Sequence, residues 1–454
     1  MGKMVDLNKN VKTNQDQKNL SKSSPAENEE IVPLNENAVE VLPSTKIIDI
    51  NNDCLHHIFN HLELDELLHL SDLSLSSACQ LAFSRRYGNK FVEIVAYECS
   101  KYRWFSIAED IIWVHNITGC LKLLRHFGNS LYGLAIYFDH TKRIQCEQVD
   151  NYIRKYCTKS LKKLSFENAP KWVFNDIQKP FPNVETVIFS ASTLAKELCE
   201  FNKWFPSMSR LEFTAGNTIL HSKCIEDRFI NLKHLWIEIN PENGFNKSNV
   251  LACLRLNSNL QSLRLKNCFN GVFLNNASQY LQNLEELVVE TDKKCDFYND
   301  DLKMHLKNVK YFEIIVPDVI GRIPFTFDRL ENVHVVAKGI YGCDTFFSEH
   351  SLKKLQLSLP LEMSVLTGSF LIHGGVWSFA ESLPQITEFK ADKCTFSTND
   401  AAIFLNTCPM LTLFRCRADT QFSLSHIMQG LDKNDKWQGA VDRKKNVLLK
   451  RQVC

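Results

Sequence analysis

The chain has 454 residues, 44% hydrophobic and 23% charged, and its 53 lysines and arginines against 52 acidic residues leave a formal charge of +1. This is the composition of an ordinary soluble globular chain, long enough for several domains or one extended repeat array. Near-neutrality excludes a global field that would draw the whole molecule to nucleic acid or to a membrane, so any partner has to be recognised locally.

The opening stretch, "MGKMVDLNKNVKTNQDQ", lacks the apolar core of a secretory signal, and no run of about 18 apolar residues could span a bilayer. The expectation is a cytoplasmic or nuclear chain whose 16 cysteines are mostly reduced. Residues 1–45 are rich in Asn, Lys, Ser, Glu and Gln, with little that could build a core, and they read as a disordered arm.

The apolar pattern begins at Ile47. In "DCLHHIFNHL", residues 53–62, a helix places Leu55, Ile58, Phe59 and Leu62 on one stripe. Cys54, His57 and His61 share a face away from it. Their spacing could hold zinc, but a closed site takes about four ligands and nothing nearby completes the set. The imidazoles therefore read as solvated, and no metal is expected. Asn51, Asn52 or Asp53 can cap this helix, and Asp65 can cap a second one running through "ELLHLSDLSL". A third run from Ser76 to Arg86 completes a unit of about 40 residues, a size that buries little of its own surface and leans on a neighbour.

From Leu131 a second period takes over, with apolar residues at positions 1, 4 and 6 of a short segment. It recurs twelve times, among them "LYGLAI" at 131, "LKKLSF" at 161, "LKHLWI" at 232, "LEELVV" at 284 and "LTLFRC" at 411. Its steps average about 25 residues, within the range of leucine-rich repeats. Positions 4 and 6 point inward from strands that stack as one parallel sheet, while segments such as "EQVDNYIRKYC", "LAKELCEFNKWF" and "DAAIFLNTC" return the chain as helices. Cys268 and Cys394 at position 9, with Cys157 and Cys408 at helix ends, read as small buried hydrophobes.

The long step from 352 to 386 holds "PLEMSVLTGSFLIHGGVWSF", either a degenerate repeat or a projecting loop. The end, "DKNDKWQGAVDRKKNVLLKRQVC", is basic and weakly patterned; it reads as a solvated tail over 421–454, with a nuclear or nucleic-acid signal as the sharper alternative. The expected architecture is α/β: a three-helix unit over 46–90, then a curved solenoid over 91–420 with an N-terminal capping segment and helices on its convex side.

The segment "IDINNDCLHHIFNHLELDELLHLSDLS" resembles an F-box. The L-x-x-I-F-x-x-L core and the L-x-L-D-x-L-L-x-L that follows are filled by Leu55, Ile58, Phe59, Leu62, Leu64, Asp65, Leu67, Leu68 and Leu70, with Ile50 ahead of them and Asn51 where the family carries Pro. Followed by leucine-rich repeats, residues 46–420 resemble the F-box/leucine-rich-repeat proteins, in particular the divergent insect set. These are substrate receptors of Skp, cullin and F-box ubiquitin ligases. The resemblance implies that Ile50, Leu55, Ile58, Phe59, Leu62, Leu64, Leu67 and Leu68 contact the Skp adaptor and, through it, the cullin. The plainer reading is that these residues pack only the unit's own helices.

Positions 3, 5 and 7 of each strand face the concave side. From 163 to 417 they carry eight basic and eight acidic residues, whereas a nucleic-acid track would be one-signed. Trp236 at position 5 stands among Arg210, His234, Arg264, Val288, Tyr311 and Ile315, a tryptophan ringed by charge in the pattern of a protein-binding hot spot. The plainer reading is that another part of the chain covers it. No Gly-rich phosphate loop, nucleophile elbow or Cys-x-x-Cys pair occurs, so no catalytic set and no cofactor are expected. Two functions fit best: a non-catalytic substrate receptor of such a ligase, binding a protein target and neither nucleic acid nor membrane, or an interaction scaffold not coupled to ubiquitination; a metal-dependent enzyme using the His-rich helix is a third reading.

Overall fold

The computed structural model describes residues 52–452, apart from 74, 95–104, 138–142, 168–179, 191–200, 215–228, 239–246, 268–270, 292–303, 321–322, 324, 342, 360–370, 373–375, 420 and 432–436. The expected arm, Ile50 and Cys268 lie outside these residues. Asn52–Cys454 forms one compact unit.

Each of the twelve template matches carries a strand that begins at its third position, from Gly133–Tyr137 to Leu413–Ala418. Alternation of side chains then turns positions 4 and 6 inward, and Leu164, Leu235, Leu263, Phe312, Leu355 and Phe414 are all buried at position 4. The strands pair in parallel, so that Ser262, Glu286, Tyr311 and Asn332 lie side by side, and the register shifts where Glu388–Phe396 meets Leu413–Ala418, between Lys390 and Thr395. Among the described residues the sheet has 17 strands. This is a leucine-rich-repeat solenoid.

The inward residues meet segments that return the chain behind the sheet. Helices Arg143–Tyr156, Lys247–Leu256, Gly271–Ser278 and Thr398–Thr407 do so where the sequence favours helix. Of "LAKELCEFNKWF", the described part is helical over Phe201–Trp204. Between 304 and 372 the returns include extended pieces instead. Met304–Leu306 pairs with Phe325–Phe327, and Val319–Ile320, Gly339–Ile340 and Leu371–Ile372 form a small parallel sheet. "VPDVIGRIPFTF" explains this, because Pro and Gly break helix and the β-branched residues between them favour strand. The described part of the insert after 352 joins this second layer through Leu371–Ile372 and adds helix Val376–Glu381.

Phenylalanines fill the interior. Phe166, Phe189 and Phe213 stack from repeat to repeat at 5.8 and 5.9 Å, and Phe389 meets Phe414 at 5.6 Å. Such pairs add roughly 0.5–1.5 kcal/mol each beyond the burial of their area. Two buried polar side chains join neighbouring repeats. Asn257 donates to the Phe229 and Cys253 carbonyls at 2.7 and 2.8 Å and accepts the Leu232 N–H at 2.8 Å. His350 accepts the Phe327 N–H on Nε2 at 3.0 Å while Nδ1–H donates to the Phe346 carbonyl at 2.5 Å. Cys157 and Cys408 are buried, and burial pushes each thiol up to about 12. They are packing residues.

Ahead of the repeats lie helices α1 (Asn52–Phe59), α2 (Leu64–Ser71) and α3 (Ser76–Tyr87). The second begins one residue before Asp65; Glu63 is its cap, and the Glu63 N–H donates to the Glu66 carboxylate at 2.7 Å. A fourth helix, α4 (Ile117–Phe127), is capped by Asn116, whose side chain accepts the Gly119 N–H at 2.7 Å. Phe83 of α3 stacks on Phe127 of α4 at 4.3 Å, and Lys122 and His126 of α4 reach Asp72 at 2.7 and 2.9 Å. The neighbour that the small unit needs is therefore supplied, at least on this side, within the chain.

The end of the chain departs from the expected solvated tail. Leu424–Gly430 is a helix, and Trp437–Val441 and Asn446–Arg451 form a hairpin that extends the sheet antiparallel to Leu413–Ala418. Val447 and Leu449 are buried because the alternation in "NVLLKR" was strand periodicity under a basic composition. Lys445, at φ 63°, takes the left-handed position of the turn.

Candidate interaction surface

Two surfaces carry the residues singled out from the sequence. On the helical unit, the stripe divides. Leu55, Phe59, Leu64, Leu67 and Leu68 are buried in the core of the chain itself, and Leu62 is half-buried against it. The α1–α3 bundle and α4 between them take up this face, so these five residues are not open in the isolated chain. What remains open is Ile58, 49% exposed, joined on the same three-helix unit by Leu73 at 61% and Leu81 at 37%. Cys54 and His57 are exposed on the other side of α1; the helix ends at Phe59, so His61 is exposed in the turn that follows rather than on the helical face the spacing predicted. Among the described residues no group of three or more His, Cys, Asp or Glu is placed to hold a metal ion.

On the sheet, register brings all seven candidate residues to the open face. Trp236, Arg264 and Val288 are neighbours in one row. Arg210, His234 and Tyr311 belong to the row on one side and Ile315 to the row on the other. The Arg264 guanidinium lies 4.4 Å from the Trp236 ring and bonds Glu290 at 2.7 Å. Stacking a cation on the indole is worth about 0.5–2 kcal/mol and holds both side chains flat. The Trp236 indole N–H and Arg264 Nε have no partner among the described residues. Val288 differs from expectation: it is on this face yet only 4% exposed, set in a trough between the longer side chains of its neighbours.

Around this centre the charges are paired. Lys266 bridges Glu238 at 3.2 Å and Glu290 at 3.1 Å, Arg210 bonds Glu212 at 2.6 Å, and Glu313 accepts from the Tyr311 hydroxyl at 3.1 Å and meets His334 Nδ1 at 2.8 Å. Burial works to raise the Glu313 pKa, but the His334 and Tyr311 contacts outweigh it and hold the carboxyl below its usual range. Burial pushes the Tyr311 hydroxyl up, and the Glu313 charge beside it adds to that. His234 is held below the usual imidazole range by burial and by the Arg210 charge. The arrangement can bind, through an aromatic and cationic centre with a fixed polar rim, and at its side His334 joins Glu313 to the Ser358 hydroxyl, which lies 3.0 Å from Nε2.

Part of this surface is not legible in the sequence. Lys266, Glu238, Glu290 and Glu313 were visible as open-face charges, but their pairing across strands, and the part played by His334, depend on register. Trp113 donates to Glu93 at 3.0 Å at the far end of the same face. Its strand, Ile111–Val114, and Phe91–Ile94 precede the first template match, so the period gave no signal for them. A polar groove of about 580 Å³ runs elsewhere, along the edge where strands begin, among Lys233, Asn259, Asn283, Asn308 and Lys310. Its asparagines are structural: Asn283 and Asn308 donate to the Ser258 and Gln282 carbonyls of the preceding turns at 3.0 and 2.6 Å.

No family model matches the sequence, and no curated relative matches it. Among solved structures the chain is similar to TLR13 in its complex with ssRNA13, at 13% identity over 72% of this chain and 47% of that one, with a TM-score of 0.41. It is similar to the complex of Rad7 and Elc1 in yeast at 15% identity, over 80% of this chain and 87% of that one, with a TM-score of 0.37. The Toll–Spatzle complex of Drosophila follows at 10% identity, over 62% and 46%, with a TM-score of 0.31. The chain spans less than half the length of the TLR13 and Toll-complex chains it matches. The repeat fold itself is established by the register of its own strands.

Proposed function

We propose that the chain is a non-catalytic substrate receptor of a Skp, cullin and F-box type ubiquitin ligase. The solenoid's open face holds a protein target around Trp236 and Arg264, and the N-terminal helices dock the adaptor. The observation that carries this reading is the pairing, in one compact chain, of an F-box-like helical unit that leaves Ile58, Leu73 and Leu81 exposed with a solenoid that presents a stacked Trp–Arg centre. Trp and Arg dominate protein-binding hot spots, and isolated apolar side chains on a small helical unit are what an adaptor would cover. Ubiquitin transfer would then be promoted by effective concentration alone, with the receptor making and breaking no bond. Such a receptor works in the cytoplasm or nucleus.

One observation favours the scaffold reading instead. Leu55, Phe59, Leu64, Leu67 and Leu68 are already enclosed by the chain, which removes much of the surface the motif would offer. Affinity purification of the full chain from cells decides between them. Ile58→Asp with Leu73→Asp is expected to abolish Skp adaptor recovery while target recovery survives, and Trp236→Ala the reverse. Absence of the adaptor from the unaltered chain's complexes would leave the scaffold.

A further inference from the structure

The last strand of the sheet, Trp437–Val441, pairs on one side only among the described residues. Gln438, Gly439, Ala440 and Val441 are all exposed, and the strand carries neither Lys nor Pro, the usual guards of an open edge. The Asp442 N–H bonds the Asn446 carbonyl at 3.0 Å. Antiparallel alternation from that pair turns the backbone groups of Val441 and Gly439 away from the hairpin partner, toward the free side.

Exposed cations lie around this hairpin: Arg443, Lys444 and Lys445 in the turn, Lys450 on the return strand, and Arg417 one strand further in, beside Asn446. None of the five has a carboxylate partner among the described residues. The acid within the turn, Asp442, is held by the Lys444 N–H at 2.8 Å, the Asn446 N–H at 2.9 Å and the Asn446 side chain at 2.8 Å; it offsets one of the five charges and leaves the cluster strongly cationic. On the open face Lys354 is matched to Glu388 at 2.8 Å and Lys266 to two carboxylates.

We infer that the C-terminal hairpin is a docking edge for an extended acidic segment of a partner protein, which adds as a strand beside Gln438–Val441 and sets its carboxylates against these cations. The free backbone groups suit a polypeptide. A nucleic acid would want a longer one-signed track and exposed rings for its bases, whereas Trp437 is 7% exposed and Phe414 is buried. The surface is at the opposite end of the sheet from the helical unit and stands whether or not that unit docks an adaptor.

The test is fluorescence anisotropy of the full chain with a labelled short peptide alternating Glu and Thr, beside a single-stranded oligothymidylate of equal charge. The chain should hold the peptide, and Arg417→Glu, Lys444→Glu and Lys450→Glu together should weaken it on the order of tenfold, with a further loss as salt is added. Reversing the exposed Lys159, Lys233 and Lys307 instead changes the total charge equally and should move binding less than about twofold. Val441→Pro removes an outward N–H and no charge, and should weaken binding severalfold. Where a reversal lowers the unfolding temperature, the corresponding Gln variant is read in its place. Equal losses in the two charge-reversed chains, no effect of Val441→Pro, or a tighter hold on oligothymidylate than on the peptide each overturn the inference. Adaptor recovery through Ile58 and Leu73 is a separate readout, so the two proposals fail independently.

Discussion

A stacked sheet must end twice, and this chain ends it in two different ways. At the start, α4 and the helical unit close the solenoid with interlocked apolar side chains, Phe83 flat against Phe127 at 4.3 Å. At the finish, a short hairpin buries Trp437, Val447 and Leu449 on one face and leaves its outer edge and a cluster of cations open. Both devices shield the interior of the terminal repeat. The first puts most of its surface into stability, while the second leaves backbone and charge available for recognition.

The sharpest way to break this comparison is at the first cap. Phe83→Ala empties a fully buried site between two helices and should cost about 3–5 kcal/mol, seen as an earlier midpoint in denaturant unfolding. A loss near zero would mean that the head is not part of the cooperative unit. Midway between the caps, Glu313→Gln removes a charge-assisted contact with His334 and should cost about 1–2 kcal/mol near neutral pH. Because the folded carboxyl titrates below its usual range, that stability is fully present above the ordinary Glu value of 4.5 and is lost as pH falls through the folded value. Wild type and variant should therefore converge in acid. The smallest effect belongs to the hairpin: Lys445→Gly relieves a left-handed residue and should stabilise by about 0.5–1 kcal/mol, measured as a raised midpoint. Destabilisation there would show that the lysine side chain supports the turn.

Much of the architecture was legible. The 1-4-6 template located the twelve repeat strands, since a buried face with a period of two and a fixed step leaves little freedom of register. The helices near Leu55, Leu67 and Phe83 were legible for the same reason at a period of 3.6. The hairpin was hidden because Arg443, Lys444, Lys450 and Arg451 dominate its composition while Val447 and Leu449 carry its pattern. On the open face, Trp236 and Arg264 could be placed on one side but not against each other; their stacking depends on neighbouring strands lying in register.

Sequence alone determined which residues turn inward, because hydrophobic spacing is a local property of the chain. It could not say which apolar face is covered by another part of the same chain. Ile58 and Leu55 lie on one helical stripe, yet Ile58 is 49% exposed and Leu55 6%. That difference is set by how distant segments pack, Phe83 on Phe127 and Asp72 on Lys122, and only the folded molecule brings those atoms within reach.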